Sequence, residues 1–133
     1  MTERERKDPL VATRSLVSVV DDDESIRESL PDLLRQLGFA ARTFPSGEAF
    51  LTSDVVDATN CLILDVTMPG MSGPDVNREL TSRKHRIPTI FITASDDKTL
   101  RPRLLAEGAV DVLFKPFSDA ALVDALNAAF RDI

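Results

Sequence analysis

Residues 61–70 read CLILDVTMPG, and no other segment says more about the architecture. The segment opens with an unbroken apolar run of strand length, which is typical of a strand covered on both faces of a parallel sheet. The acidic residue Asp65 follows this run, and the next residues, Met68, Pro69 and Gly70, have the composition of a turn. The segment therefore predicts a buried strand, Cys61–Leu64, that ends in a carboxylate beside a loop.

Apolar runs of similar length recur on both sides of this segment. Amphipathic segments separate them, and alternation of this kind predicts β-then-α units with right-handed crossovers. We therefore expect an α/β fold, a doubly wound five-stranded parallel sheet with five helices. The four other predicted strands are Leu16–Val20, Phe39–Phe44, Ile87–Ile92 and Val110–Phe114.

The helices are predicted from apolar stripes and terminal residues. The first covers Glu24–Leu37, with Gly38 suited to its C-terminal cap, and Ser46 is a candidate N-cap for a short second helix. Gly73 and Pro74 open the third helix, with proline expected at its first position. The fourth is expected to end near Gly108. In the fifth, Ser118 is the predicted N-cap, and the expected buried face consists of Leu122, Val123, Leu126 and Phe130.

Length and composition indicate one acidic domain. The 133 residues divide into a flexible leader, residues 1–15, and a domain, residues 16–133. The net charge of −6 is a poor match for a phosphate backbone, so we expect no direct binding of nucleic acid. The chain has no apolar run near the roughly 20 residues of a membrane span and no secretory signal. With the single Cys61, these features indicate a cytoplasmic protein without membrane contact.

Chemically distinctive residues follow four of the predicted strands. The run Asp21–Asp23 follows the first, Asp65 the third, Thr93 the fourth and Lys115 the fifth. Ligands of open α/β sheets bind at the carboxyl ends of strands, so these side chains are expected to converge. Clustered carboxylates repel each other by about 1 kcal/mol per pair at 4 Å in water, and Mg²⁺, which prefers oxygen ligands, relieves that repulsion. A carboxylate nucleophile with a hydroxyl and a lysine nearby is a set suited to forming an aspartyl phosphate.

With these residues the chain resembles the receiver domain of two-component response regulators, over about Leu16 to Phe130. The motifs that carry the resemblance are VVDDDESIR, LILDVTMPGMSG, IFITA and GAVDVLFKPF. The intervals of 43, 28 and 22 residues that separate Asp22, Asp65, Thr93 and Lys115 look most like the FixJ-type branch. Receivers of that branch usually precede a DNA-binding domain.

The resemblance implies a role for each residue of the site. Asp65 would accept the phosphoryl group, Asp22 would bind Mg²⁺ directly and Asp21 through water. The backbone carbonyl of Thr67 would be a further metal ligand. The run of three aspartates allows a second pairing, but the register of the family favours Asp21 and Asp22 and leaves Asp23 near the start of the first helix.

The resemblance also implies a switch. A sensor histidine kinase would phosphorylate Asp65, Thr93 would move to the phosphoryl group, and Lys115, in a cis peptide bond with Pro116, would pair with Asp65. The changed surface of the fourth helix, fifth strand and fifth helix would control an output domain or partner, with transcription as the expected output and a phosphorylation-dependent homodimer as one form. Residues expected at that contact are Leu100, Leu104, Val110 and Val112.

Several residues depart from the pattern of the family. Val112 stands where the family usually has an aromatic residue that swings inward, so coupling must use other side chains. Pro102 predicts a short or displaced fourth helix, and Pro31 predicts a bend in the first helix. Thr67 and Ser95 occupy positions that tune dephosphorylation in the family.

Two alternative functions have weaker support in the sequence. Asp65 and Thr67 faintly resemble the start of haloacid-dehalogenase-type phosphohydrolases, but the nucleophile is not on the first strand and no cap domain fits. A degenerate receiver that binds proteins without phosphorylation is supported only by Val112 and the two helix prolines. The plainer interpretations are a solvated loop for His85, a core residue for Cys61 and solvated turn and N-cap residues for Asp21–Asp23.

Overall fold

The computed structural model describes residues 14–131. Of the predicted leader, only Arg14 and Ser15 fall within this range, and the rest lies outside the described residues. The division of the chain at residue 15 therefore stays a prediction. Within residues 14–131, no helix has both the length and the apolar composition that crossing a membrane requires.

Five parallel strands form one sheet, in the order β2-β1-β3-β4-β5. Five helices alternate with them along the chain, which confirms the predicted fold class. The strand order reverses direction between β1 and β3, and such a switch point is where α/β sheets bind ligands. The strands are β1 (Leu16–Val20), β2 (Ala40–Phe44), β3 (Thr59–Asp65), β4 (Thr89–Thr93) and β5 (Asp111–Phe114), and the helices are α1 (Glu24–Gln36), α2 (Gly47–Leu51), α3 (Gly73–Ser82), α4 (Leu100–Ala106) and α5 (Asp119–Phe130).

Each face of the sheet has its own apolar core. Alternate residues of a strand point to opposite faces, so Leu62 and Leu64 belong to one core whereas Cys61 and Ile63 belong to the other. The first core packs against α2, α3 and α4, and the second against α1 and α5. Since both faces are covered, β3 can be apolar throughout its middle, as the sequence predicted.

Most predicted helix ends are confirmed. The hydroxyl of Ser46 accepts the N–H of Ala49, and that of Ser118 accepts the N–H of Ala121. The N-cap of α3 is Ser72, which makes Pro74 the second helical residue and not the first. This start is one residue earlier because Ser72 and Asp75 form a capping box, each side chain accepting the other's backbone N–H.

The buried face of α5 differs from the prediction at two positions. Leu122 and Leu126 are buried as expected, but Val123 and Phe130 are only partly buried. Ala125 and Ala129 are buried instead, because small side chains allow α5 to lie close to the sheet. The ring of Phe130 stacks on Phe39 with the centroids 5.2 Å apart.

The two helix prolines have different surroundings. Pro102 is the third residue of α4, where its missing N–H would have no intrahelical partner, and α4 is short, with seven residues, as predicted. Pro31 is buried inside α1, which continues to Gln36. The carbonyl of Arg27 therefore lacks its usual helical donor, and the predicted bend stays a prediction.

Candidate functional site

The carboxyl ends of β1, β3, β4 and β5 bring the predicted residues together at one edge of the sheet. Asp21 directly follows β1, Asp65 and Thr93 are the last residues of β3 and β4, and Lys115 directly follows β5. Neighbouring strands run in register here, with Asp65 beside Ile92 and Thr93 beside Phe114. Parallel pairing thus collects side chains that lie up to 94 positions apart in the chain.

Asp21 is the most completely enclosed acid of the site, with no exposed surface. One carboxylate oxygen accepts the backbone N–H of Asp23 at 2.9 Å, and the other accepts Lys115 Nζ at 2.8 Å. Its main-chain carbonyl accepts an Nη1–H of Arg27, on α1, at 2.9 Å. These three bonds fix the position of Asp21 at the start of the acidic turn after β1.

The next two aspartates of the run, Asp22 and Asp23, have different contacts. Asp22 is exposed and faces the site, whereas Asp23 is the N-cap of α1 and accepts the backbone N–H of Ser25. The bonds to Ser25 lower the pKa of Asp23, which is fully exposed. Asp23 therefore has the structural role that the register predicted, and Asp21 and Asp22 remain as the pair beside Asp65.

Asp65 is nearly buried, with 5% of its surface exposed. Burial is the main cause that raises the pKa of this carboxyl to about 7, and the neighbouring charge of Asp21 raises it further. Lys115 Nζ lies 3.8 Å from an Asp65 oxygen and lowers the pKa, but it lies closer to Asp21. The resemblance paired Lys115 with Asp65, and in the structure its nearer partner is Asp21.

Asp21, Asp22 and Asp65 form an acidic cluster of the kind that is typical of a receiver magnesium site. One carboxylate oxygen from each lies within 4.8 Å of the others. Three oxygens at this separation suit a hard divalent cation, which would also offset their mutual repulsion. Thr67 lies in the loop two residues after Asp65, and its side chain is exposed.

Thr93 at the end of β4 and Lys115 directly after β5 lie next to the cluster. Thr93 is buried, and its hydroxyl accepts the backbone N–H of Ser95 at 3.0 Å. The backbone N–H of Lys115 donates to the Thr93 carbonyl at 2.7 Å, which joins the two strand ends. The Lys115–Pro116 peptide bond is cis, as the resemblance implied.

The loop after Asp65 is held in place by close backbone contacts. A side-chain carbon at Gly73 would lie 2.3 Å from the Asp65 carbonyl oxygen, so only glycine fits. The Gly73 N–H also donates to the Val66 carbonyl at 2.8 Å. From α2, the carboxylate of Glu48 accepts the N–H of Met71 at 3.4 Å and lies against Gly70, whose φ of 78° is in the left-handed region.

The residues predicted for a switch surface do not all reach the surface. Leu104 and Val112 are 3% and 1% exposed and belong to the core on the α3 and α4 side, so both are buried in this conformation, and the contact expected after phosphorylation stays a prediction. Both are buried because Leu104 of α4 and Val112 of β5 belong to the same apolar core. Leu100 and Val110 are partly exposed.

Sequence reasoning missed four residues: Arg27 and Glu48 contact the site and its loop, and Lys98 and Arg101 contact β5. Arg27 lies inside a quoted motif, but nothing in the pattern indicated its bond to Asp21. The other three lie in segments whose positions depend on helix packing. His85 lies away from the site, 3.3 Å from Asp57, and Cys61 is a buried free thiol, so both plainer interpretations agree with the structure.

Several known proteins are similar to this chain in sequence. Residues 17–127 match the family model described as "Response regulator receiver domain". The chain is 45% identical over 118 residues to Nodulation protein W of Bradyrhizobium diazoefficiens, covering 89% of this chain and 52% of that protein. It is 40% identical over 113 residues to the transcriptional regulatory protein FixJ of Azorhizobium caulinodans, covering 85% and 54%. The chain thus spans about half the length of these curated relatives.

Solved structures of receiver domains have the same fold as this chain. The crystal structure of FixJ-N superposes with a TM-score of 0.79 and 35% identity, covering 91% of this chain and 97% of that one. A response regulator receiver protein from Burkholderia phymatum superposes with a TM-score of 0.75 and 43% identity, covering 87% and 94%.

Proposed function

The chain belongs to the response regulator receiver domain family, and on that premise we propose that Asp65 is the residue that accepts the phosphoryl group. The observation that carries this proposal is the position of its carboxylate, nearly buried at a strand end between two further acids and a lysine. Phosphohydrolase activity, the enzymatic alternative, does not agree with the family that the chain belongs to.

The proposed reaction is a transfer between side chains. An Asp65 carboxylate oxygen attacks the phosphorus of a phosphohistidine on a sensor kinase. The new P–O bond forms as the P–N bond breaks, and the imidazole nitrogen that leaves takes up a proton. The attacking carboxylate must be ionised, so the raised pKa of Asp65 makes neighbouring positive charge a requirement of the reaction near neutral pH.

Lys115 and Thr93 are proposed to stabilise the transferred group. Lys115 Nζ lies within 4 Å of both Asp21 and Asp65, so its positive charge is close to the position that the phosphoryl oxygens would occupy. The Thr93 hydroxyl is a donor beside Asp65 that could turn toward a phosphoryl oxygen. Its present partner, the Ser95 N–H, would then need another acceptor.

We propose Mg²⁺ as the cation of the acidic cluster, held by Asp21, Asp22 and Asp65 with the backbone carbonyl of Thr67. The three carboxylates fit this ion because they supply only oxygen atoms and carry more negative charge than Lys115 balances. When bound, the ion would neutralise charge on the cluster and on the phosphoryl oxygens.

The output of the domain is proposed from its relatives. Several are named as transcriptional regulators, and this chain matches only about half of their length. We propose that the phosphorylated domain controls a DNA-binding output domain or partner, with a homodimer as one form of the switch, and that it does not itself bind DNA. A cytoplasmic location belongs to the proposal, and the free thiol of Cys61 is compatible with a reducing compartment.

The test is intact-mass spectrometry after incubation with acetyl phosphate, with Mg²⁺ or with EDTA. We expect one added phosphoryl group that requires Mg²⁺. Asp65→Asn is the variant that should lose it, and Asp23→Asn is the matched control, since Asp23 caps α1 and should leave the reaction intact.

Two outcomes would contradict the proposal. An adduct that persists in Asp65→Asn would place the phosphoryl group on another residue. If neither acetyl phosphate nor a phosphorylated histidine kinase gives an adduct on the wild-type protein in Mg²⁺, the domain is a binding module that works without phosphorylation.

A further inference from the structure

The segment after Thr93 is linked to that residue by a chain of hydrogen bonds. The Ser95 N–H donates to the Thr93 hydroxyl, and the Ser95 hydroxyl accepts the N–H of Asp97 at 3.1 Å. Asp97 in turn accepts both the N–H and the hydroxyl of Thr99, which directly precedes α4. A movement of the Thr93 side chain therefore acts on the whole segment up to the first turn of α4.

Two cations from this segment contact β5, the edge strand. Lys98 Nζ lies 4.6 Å from the centroid of the Phe114 ring, a distance at which a cation–π attraction operates. Arg101, in the first turn of α4, forms an ion pair with Asp111 and donates to the Val112 carbonyl at 2.9 Å. These contacts fall on three of the four residues of β5.

The contacts of Arg101 also involve the open side of the sheet. β5 has a neighbour on one side only, and the backbone groups of Val112 both bond to side chains. Its N–H donates to the Asp111 carboxylate at 2.8 Å, and its carbonyl accepts Arg101. Arg101 and Asp111 together occupy the hydrogen-bonding groups of an edge residue that a partner chain could otherwise pair with.

The side chain of Val112 cannot carry a movement of Thr93 to β5. It is 1% exposed and packs in a continuous core, and a valine has neither the length nor a polar group to follow Thr93. We propose that Lys98 and Arg101 are positioning residues that carry the phosphorylation signal from Thr93 to β5 in this protein. When Thr93 turns toward the phosphoryl group, residues 95–101 shift and both cations leave β5.

This inference rests on the proposed function, so the test measures phosphorylation and coupling separately. Amide resonances of ¹⁵N-labelled protein are recorded before and after phosphorylation with acetyl phosphate and Mg²⁺, and intact mass gives the phosphorylated fraction. In the wild type, we expect the amides of Ser95 and of residues 111–114 all to change. In the double variant Lys98→Gln, Arg101→Gln, Ser95 should still respond, whereas the change at residues 111–114 should fall by more than half.

The unmodified double variant gives a second readout. Its Val112 amide should exchange with solvent roughly two- to five-fold faster than in the wild type, the factor expected when exposed pairs of this kind are lost. Arg42→Gln with Arg103→Gln is the matched control. Arg42 lies over the Phe44 ring at 5.8 Å on the other edge strand, and Arg103 is an exposed arginine of α4 itself.

The outcomes separate the two proposals. If the wild type takes up no phosphoryl group, the proposed function fails. If it is phosphorylated and residues 111–114 respond equally in the wild type and the double variant, the roles of Lys98 and Arg101 are refuted. Should the double variant not fold, the single variant Lys98→Gln replaces it, because this exposed side chain can be removed without opening the core. An undiminished response of the Phe114 amide in that variant would refute the proposal.

Discussion

Burial raises the pKa of Asp65, and because Lys115 is shared unequally between two acids, its charge does not offset that rise. Its Nζ lies 2.8 Å from Asp21 and 3.8 Å from Asp65. Asp21, without solvent contact, has the greater need of a close counterion. Asp65 is left with too little positive charge to offset burial, and its pKa rises.

Replacing Gly73 with alanine should disturb Asp65 through the backbone. The added carbon would lie 2.3 Å from the Asp65 carbonyl oxygen, and a backbone atom cannot turn away. We expect a loss of about 1–3 kcal/mol in the free energy of unfolding, typical of overpacking, and slower phosphorylation by acetyl phosphate. Urea titration followed by circular dichroism and mass spectrometry would measure the two effects.

Gly38→Ala is the control for this variant. Gly38 has a φ of 100°, but nothing lies within 4 Å of an added carbon. We expect only the cost of a left-handed conformation, about 1–2 kcal/mol, and an unchanged phosphorylation rate. Equal rates in the two variants would show that the contact between Gly73 and Asp65 does not matter for the reaction.

Cys61 is expected to be chemically inert in the folded protein. Its side chain has no exposed surface, and burial raises the pKa of the thiol to about 12, so the reactive thiolate is scarce. Iodoacetamide at about pH 8 should add no mass to the native protein and one group to the protein unfolded in guanidinium chloride. Equally fast labelling in both states would mean that β3 opens readily.

The acidic residues and Thr93 could be placed from the sequence because strand ends are visible in it. Asp65 follows an apolar run, and parallel pairing then dictates which other strand ends lie beside it. The lysine's nearer partner could not be predicted, because the separation of Lys115 from two acids depends on their relative burial. Arg27 and Glu48 were missed for a related reason, since each reaches the site from a helix whose distance is set by packing.

Side-chain caps define where several helices begin. The Ser118 hydroxyl accepts the N–H of Ala121 in the first turn of α5, and Ser118 ends the loop that carries Lys115. Ser118→Ala should therefore cost about 1 kcal/mol in the free energy of unfolding and lower the melting temperature by about 3 °C. Thermal unfolding followed by circular dichroism gives both values.

Ser29→Ala provides the comparison within a helix. Ser29 is exposed inside α1 and bonds to the Ser25 carbonyl one turn back, and alanine is a better helix former there. We expect an unchanged or slightly higher melting temperature. If Ser118→Ala behaved in the same way, its hydrogen bond would have no net value for α5.

Strand bounds were predicted to within two residues, and the errors have local causes. β3 begins at Thr59, two residues before the apolar run, because the Thr59 hydroxyl is buried against Ser18 and the Val55 carbonyl. Buried polar residues of this kind are invisible to a search for apolar runs. β4 begins two residues late, at Thr89, since Pro88 has no N–H to offer to a ladder.

The stability of the whole domain should depend on pH and Mg²⁺ together. Without metal, the folded state holds a proton on Asp65 up to about pH 7, whereas the unfolded chain releases it near its ordinary value of 3.8. The folded state then binds more protons between these values, so the free energy of unfolding should fall as pH rises from about 4 to about 7. The exposed Asp23, Asp75 and Asp97, whose pKa values are lowered, act only below this window.

Mg²⁺ should oppose that loss, because it binds the ionised carboxylates of the folded state only. Urea titrations at several pH values, with Mg²⁺ and with EDTA, would measure this. In EDTA, the free energy of unfolding of Asp65→Asn should fall less as pH rises than that of the wild type. Mg²⁺ should also raise the free energy of unfolding of this variant by less. A wild-type protein whose stability in EDTA rises across this window would show that Asp65 is ionised throughout.

The bond between Asp21 and Lys115 joins residues 94 positions apart, from the end of the first strand to the end of the last. Ribosomes add roughly 5 to 20 residues each second, so Asp21 leaves the ribosome about 5 to 20 s before Lys115 does. No shorter nascent chain can hold this bond, and none has the cation that Asp65 needs at neutral pH. The site that we propose for phosphorylation is therefore completed late in synthesis, and a chain that terminates before Lys115 lacks the ammonium group beside Asp21 and Asp65.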